Sequence, residues 1–324
     1  MIKYLQFEPF PLFACPHKQT ICGSLLKLDI EPISVRQLVP LEDGDQIALE
    51  IVTPEKWKDS DPTVFFVHGL CGSHRSPYLI RLVKRFQSDG IRTVRFNMRG
   101  CGSGKGLSRK IYHSGCSEDV IESLKAVHRK TPDSPIYLVG FSLGGNVVLK
   151  TAGELGSLGS KLLKGVISIS PPVDLKLTGK VIGSALNGLY EAHFSKLMKA
   201  HVAEIHAAFS LPEFRFPEKI SFYDFDRIYK IPTCGFKSVD DYYTQCSSVH
   251  YLDQINIPCK ILFAEDDPVI PHSRLDREVL PKNITIYKTK NGGHLGYLGN
   301  PRAKHGFRFM DNIINEWIKE MLSL

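Results

Sequence analysis

From residue 33 onward, short apolar runs alternate with longer stretches in which apolar residues return every three or four positions. "ISVRQLV" (33–39) and "QIALEIV" (46–52) read as two strands with "PLEDGD" turning between them, and "TVFFVHG" (63–69) follows as a continuous run suited to a strand buried on both faces. Leu79, Leu82, Val83 and Phe86 then fall on one helical face, "IRTVRFN" (91–97) returns as a strand, and 118–129 predicts the next helix. "PIYLVGF", "LGGNVVLKTAG", "GVISIS", "CKILFAE" and "ITIYKTK" continue the alternation, and Met310, Ile313, Ile314, Trp317, Ile318 and Met321 form the stripe of a final helix. This rhythm is that of an α/β protein with a mostly parallel sheet flanked by helices.

The rhythm is lost between residues 173 and 252, where helical segments run from about 178 to 208 and "SFYDFDRIY" leads to "GFKSVDDYY". Eighty residues exceed any ordinary connection, so the pattern predicts one core made of 1–172 and 253–324. A mainly helical cap, 173–252, is inserted into it after the sixth core strand.

Between the strand "PIYLVGF" and the helix that follows stands G-x-S-x-G, as Gly140, Ser142 and Gly144. That placement suits a nucleophile elbow, a tight strand-to-helix turn in which side chains two positions either side of the serine would collide. A serine hydroxyl needs a base, usually a histidine oriented by a carboxylate. "FAEDDPVIP" and "NGGHLGYLG" each follow a late strand and open at the carboxyl edge of the sheet, supplying Asp267 and His294. Asp266 and Asp174 are rivals for the carboxylate, and Asp267 is favoured because Pro268 fixes the backbone after it. Backbone N–H groups of Leu143, in the elbow, and of Leu70, in "HGLCGS", are the candidate donors of an oxyanion hole. Cys71 has no partner in sequence that would make it a nucleophile, and "NMRGCGSGKGLS" matches neither phosphate-loop nor dinucleotide spacing, so it reads as a tight loop close to the site.

Bulk properties narrow the picture. The net charge of +7 is spread among acidic residues and forms no basic stripe, which argues against nucleic acid but leaves weak attraction to anionic lipid surfaces open. The eight cysteines show no CxxC or metal-like spacing, and the opening "MIKYLQFEPFPLF" is interrupted by charge and proline before a secretory segment could form. Together these features predict reduced thiols in a cytoplasmic protein without a transmembrane segment.

Four segments, "CPHKQTICG", "FVHGLCGSHRSPYL", "RFNMRGCGSG" with "HSGCSEDV", and "FDRIYKIPTCGFKSVDDYYTQCSSVHYLDQINIPCKILFAEDDPVI", carry a resemblance to the α/β-hydrolase superfamily. More narrowly the chain resembles its YheT-like branch of esterases and abhydrolase-domain proteins. The resemblance implies a capped α/β-hydrolase fold, no metal or organic cofactor, a triad at Ser142, Asp267 and His294, and hydrolysis of a small-molecule or lipid ester. Two departures are visible: "FAEDDPVI" has alanine where many hydrolases carry glycine, and "DRIYKIP" lacks the threonine-containing form ahead of Gly235 and Phe236. A non-catalytic binding protein on the same fold, and an acyltransferase using the same acyl-serine, are the competing readings.

Overall fold

The computed structural model of the chain describes residues 1–26, 30–184 and 188–323. Nine strands form one sheet: β1 (Ile2–Tyr4), β2 (Val35–Pro40), β3 (Gln46–Val52), β4 (Thr63–Val67), β5 (Arg92–Phe96), β6 (Ile136–Phe141), β7 (Gly165–Ile169), β8 (Cys259–Ala264) and β9 (Ile284–Thr289). Their order across the sheet is β1-β9-β8-β7-β6-β4-β5-β3-β2, and only the β2–β3 and β3–β5 pairs are antiparallel. The chain passes from β4 to β5 on one side, then crosses back to place β6 on the other. This reversal makes the carboxyl ends of β4 and β6 a switch point, where α/β sheets leave a crevice.

The strand period of two divides the core. Phe65 and Val67 of β4 point into one apolar layer, and Val64 and Phe66 into the opposite one. On the first face lie α3 (Ser117–Lys130) and α4 (Leu143–Leu155); on the second lie α2 (Pro77–Ser88) and the C-terminal helix, α11 (Phe309–Leu322). Full burial of a side chain such as Phe65 or Phe66 contributes ~2 kcal/mol, so the paired layers anchor the central strands firmly. All of α4 except Glu154 is buried, which fixes the helix that begins at Leu143.

The sequence pattern omits two N-terminal elements. β1 pairs in parallel with β9 at the sheet edge, Ile2 opposite Ile286, and α1 (Pro16–Leu25) follows it. The strand counted sixth from the pattern is therefore β7 of the whole sheet. Between β7 and β8 the described residues carry α6 (Leu175–Ile182), α7 (Gly188–Ala208), α8 (Phe222–Phe225), a π-helical turn (Asp226–Lys230), α9 (Ile231–Cys234) and α10 (Val239–Cys246). The remaining short helix, α5 (Gly159–Leu162), leads into β7. Among the described residues no helix is long and apolar enough to cross a membrane.

Candidate active site

The elbow between β6 and α4 holds Ser142 at φ 50° and ψ −121°, a conformation that L residues avoid and that surrounding packing must enforce. A Cβ on Gly140 would lie 2.6 Å from the Gly144 carbonyl carbon and from Val148, and one on Gly144 would lie 2.8 Å from the Val67 carbonyl carbon. Only glycine lets β4, β6 and α4 close on the serine this tightly. The serine precedes α4, so its hydroxyl sits at the positive end of a buried helix.

Three loops converge there. Ser142 Oγ lies 2.8 Å from His294 Nε2, and His294 Nδ1 lies 2.9 Å from Asp267 Oδ2. The other oxygen of Asp267 accepts backbone N–H groups from Val269 (2.8 Å) and Ile270 (2.9 Å), which locks the carboxylate in the loop after β8. With Asp267 on Nδ1, the neutral imidazole carries its proton there and offers Nε2 as an acceptor to the serine hydroxyl. This arrangement can take a proton from Ser142 and hold the resulting imidazolium against a carboxylate.

The rival carboxylates have other partners. Asp266 accepts the Gly293 N–H (2.9 Å) and the Asn291 side-chain amide (3.3 Å), and burial pushes its carboxyl pKa up. Asp174 caps α6 through Leu177 N–H (2.9 Å) and pairs with Arg274 (2.9 Å). Cys71, at φ 55°, donates its backbone N–H to Tyr112, and burial pushes its thiol up to about 11, so it stays protonated at neutral pH.

Leu70 and Leu143 line the cavity that Ser142 and His294 face. A Cβ on Gly69 would come within 3.2 Å of the Ser142 Cβ, so the loop after β4 runs directly beside the elbow. His68, fully buried, orients this loop. Met98 N–H donates to its Nε2 (3.1 Å), leaving the proton on Nδ1, which donates to the Gly69 carbonyl (2.8 Å). That carbonyl and the Leu70 N–H belong to one trans peptide and point in opposite directions, so holding one aims the other. Burial lowers the His68 pKa to about 4, which keeps the ring neutral and its tautomer fixed.

The cavity measures about 90 Å³. Leu175, Ile182, Phe194, Met198, Val269 and Ile270 supply most of its apolar wall, and the insertion between β7 and β8 supplies the first four. Besides Phe194, the insertion aromatics Phe222 and Tyr243 face this space, whereas Phe225 and Tyr242 are fully buried, the Tyr242 hydroxyl donating to Ser114 of the core (2.7 Å), and Tyr223 is half exposed. Asp226 and Lys230 also line it as a buried ion pair (3.2 Å), with the Tyr243 hydroxyl donating to Asp226 (3.1 Å). Sequence reading overlooked this pair and also His68; a histidine ending the buried run "TVFFVH" was the available signal for the latter. The "NMRGCGSG" loop packs at its Gly100 against His201 of α7, and His201 Nε2 lies 3.1 Å from the Arg99 carbonyl. Among the described residues no group of three or more His, Cys, Asp or Glu side chains is placed to hold a metal ion.

Comparison with known proteins agrees with this architecture. A family model described as the alpha/beta hydrolase fold matches residues 62–301. The YheT protein of Escherichia coli (strain K12) is 29% identical over 325 residues, covering 98% of this chain and 94% of that protein. Phospholipase ABHD3 of Bos taurus is 25% identical over 313 residues, covering 88% and 71%. The solved structure of ferulic acid bound to Est1E from Butyrivibrio proteoclasticus superposes with a TM-score of 0.58 at 15% identity, over 89% of this chain and 100% of that one, a likeness of fold alone. The chain is a member of the α/β-hydrolase family.

Proposed function

We propose that this protein is a serine hydrolase of carboxylic esters that works through an acyl-serine. The observation that carries the reading is the continuous hydrogen-bonded path from Ser142 through His294 to Asp267, whose serine end opens on a cavity walled by apolar side chains. His294 Nε2 takes the hydroxyl proton as Ser142 Oγ attacks the ester carbonyl carbon, and the carbonyl π electrons move onto oxygen. The N–H groups of Leu143 and Leu70 stabilise that oxyanion, with His68 holding the second of them in place. Collapse expels the alcohol, which receives the proton from His294. Water then repeats the sequence on the acyl-serine, releasing the acid and restoring the enzyme.

The apolar wall suits an acyl chain, and the name phospholipase carried by the ABHD3 relative makes acylglycerols and phospholipids candidate substrates beside small esters. The segment 173–252 acts as a cap in this reading, because its helices close the cavity over the serine. The cavity is well below the roughly 300–1,000 Å³ of ligand pockets. Short and medium acyl esters are therefore expected to turn over faster than palmitoyl esters.

A fluorophosphonate probe tests the chemistry. The wild type should be labelled at residue 142 and the Ser142→Ala protein should be neither labelled nor active. An unlabelled wild type that still binds esters would instead favour a non-catalytic binding protein. Product analysis with added alcohol separates hydrolysis from acyl transfer, since a transferase would form a new ester in preference to the free acid.

A further inference from the structure

We propose that α1 is a strut for the reactive histidine: Gln19 and Thr20 are positioning residues that set the loop bearing His294, and His17 ties this strut to the helical insertion through Tyr190. The proposal deepens the hydrolase reading and rests on His294 being the general base.

Helix α1 docks in an unusual way. Gln19 is its sole fully buried residue, so the helix contributes little apolar surface to the core. Its attachment is polar and aimed at one loop. The Gln19 side-chain amide accepts the Leu298 N–H (2.7 Å) and donates to the Leu298 carbonyl (3.0 Å), clamping both backbone groups of a residue four positions past His294. Thr20 Oγ1 accepts the N–H of His294 itself (2.9 Å) while donating to the Pro16 carbonyl (2.8 Å), so the hydroxyl has no freedom to turn away.

The glycines of "NGGHLG" fit the same interface. A Cβ on Gly293 would stand 2.5 Å from the Pro16 carbonyl oxygen, and one on Gly296 would stand 2.8 Å from the Gln19 Cβ. The loop also holds Leu295 at φ 59° and Tyr297 at φ 46°. Non-glycine residues in that region cost of order 1 kcal/mol or more each and persist only where the surroundings over-determine them. Here α1 supplies the external constraint on the histidine loop, and the loop in turn delivers Nε2 to within 2.8 Å of Ser142 Oγ.

At its first turn α1 meets the insertion. The His17 ring stacks on Tyr190 (centroids 5.8 Å apart, 16° between planes), and the Tyr190 hydroxyl lies 2.8 Å from His17 Nδ1. Tyr190 belongs to α7, and Phe194 and Met198, one and two turns further along that helix, line the cavity. The wall that meets substrate and the strut that sets the histidine are therefore joined at Tyr190, whose hydroxyl reaches both His17 and Thr20.

Thr20→Val keeps the shape of threonine and removes the acceptor; Thr20→Ser restores it. With a soluble short-chain ester, Thr20→Val should lower kcat by about 10-fold or more with KM within twofold, because small misplacements of a reacting group cost this much. Thr20→Ser should stay close to wild type. Hydrogen exchange should rise in residues 291–298 of Thr20→Val and not elsewhere, a readout independent of activity. His17→Ala and Tyr190→Phe should each alter turnover, and the double variant should be no worse than the poorer single one. Unchanged exchange in 291–298, a kcat within twofold of wild type, a Thr20→Ser variant as impaired as Thr20→Val, or additive losses at 17 and 190 would each overturn the strut. A wild type inert to the fluorophosphonate probe, with exchange still raised in Thr20→Val, would instead refute the hydrolase reading and leave the strut standing as a structural device.

Discussion

Two recesses on this protein differ in almost every respect, and the larger is the poorer candidate for chemistry. The wide groove, about 610 Å³, is lined by Asp43, Arg99, Lys110, His113, Glu118 and Asp119, among others. Most of its charges are paired with one another. Arg99 donates twice to Asp119 (2.8 and 2.7 Å) and reaches Asp43 (2.7 Å) and Asp45 (2.8 Å), while Lys110 also pairs with Asp43 (3.0 Å) and His113 with Glu118 (3.3 Å). Burial pushes the Asp43 carboxyl up, but hydrogen bonds from Arg99 and Lys110 outweigh it and hold the group at about 2. The narrow recess, about 90 Å³, has less charge but sets a hydroxyl on strained backbone beside an acceptor nitrogen. The contrast teaches that volume and charge are weak guides to reactivity. What matters is whether a polar group is aimed at open space with a proton acceptor behind it.

The strongest way to break the comparison is to remove the carboxylate behind the imidazole. Asp267→Asn should lower kcat by about 10⁴ through loss of tautomer control, with the fold intact. Asp266→Asn and Asp174→Asn should leave most of the activity, because the first braces the histidine loop and the second caps α6 and pairs with Arg274. Steady-state kinetics on the three variants decide the ranking, and a larger loss at 266 or 174 than at 267 would reassign the acid.

Removing the support of the proposed oxyanion donor, the Leu70 N–H, comes next. Asparagine at position 68 can place an amide nitrogen where Nδ1 stands and still donate to the Gly69 carbonyl, whereas glutamine reaches only the Nε2 position that accepts from Met98. His68→Gln is expected to lose about 10²- to 10³-fold in kcat, the usual cost of one oxyanion donor, and His68→Asn much less. Equal losses in the two variants would remove His68 from the donor's support.

Much of this was legible in the sequence, for reasons that also explain what was not. The strands from β2 to β9 announce themselves because each is bounded by turns and carries a two-residue or continuous apolar pattern that the two core layers require. Ser142, Asp267 and His294 can be picked out because each stands in a loop after a readable strand, and parallel strands bring such loops to one edge. Helix α1 gives no such signal, since it docks through Gln19 and Thr20 and not through an apolar stripe. β1 is only three residues long. In the insertion, composition cannot separate Phe225 and Tyr242, which are fully buried, from Phe222 and Tyr243, which face the cavity. The Asp226–Lys230 pair is likewise visible only once a π-helical turn has placed both inside.

The smallest expected effect on catalysis lies in the wide groove, and it sharpens the contrast by dissociating stability from turnover. Asp119 is nearly inaccessible and receives both forks of the Arg99 guanidinium, so Asp119→Asn leaves a largely buried cation short of its main partner. Breaking one side of such a pair costs about 3–5 kcal/mol, which for a chain of this size lowers Tm by about 4–7 °C. Asp43 and Asp45 still contact Arg99, which places the loss toward the lower end. Below the new transition, kcat and KM per folded molecule should both stay within twofold of wild type. If Asp119→Asn instead cut kcat while Tm held, the groove would be a functional site and the distinction between the two recesses would fail. Calorimetry and kinetics on the same preparation, with the labelled fraction of Ser142 as the count of competent molecules, give both numbers at once.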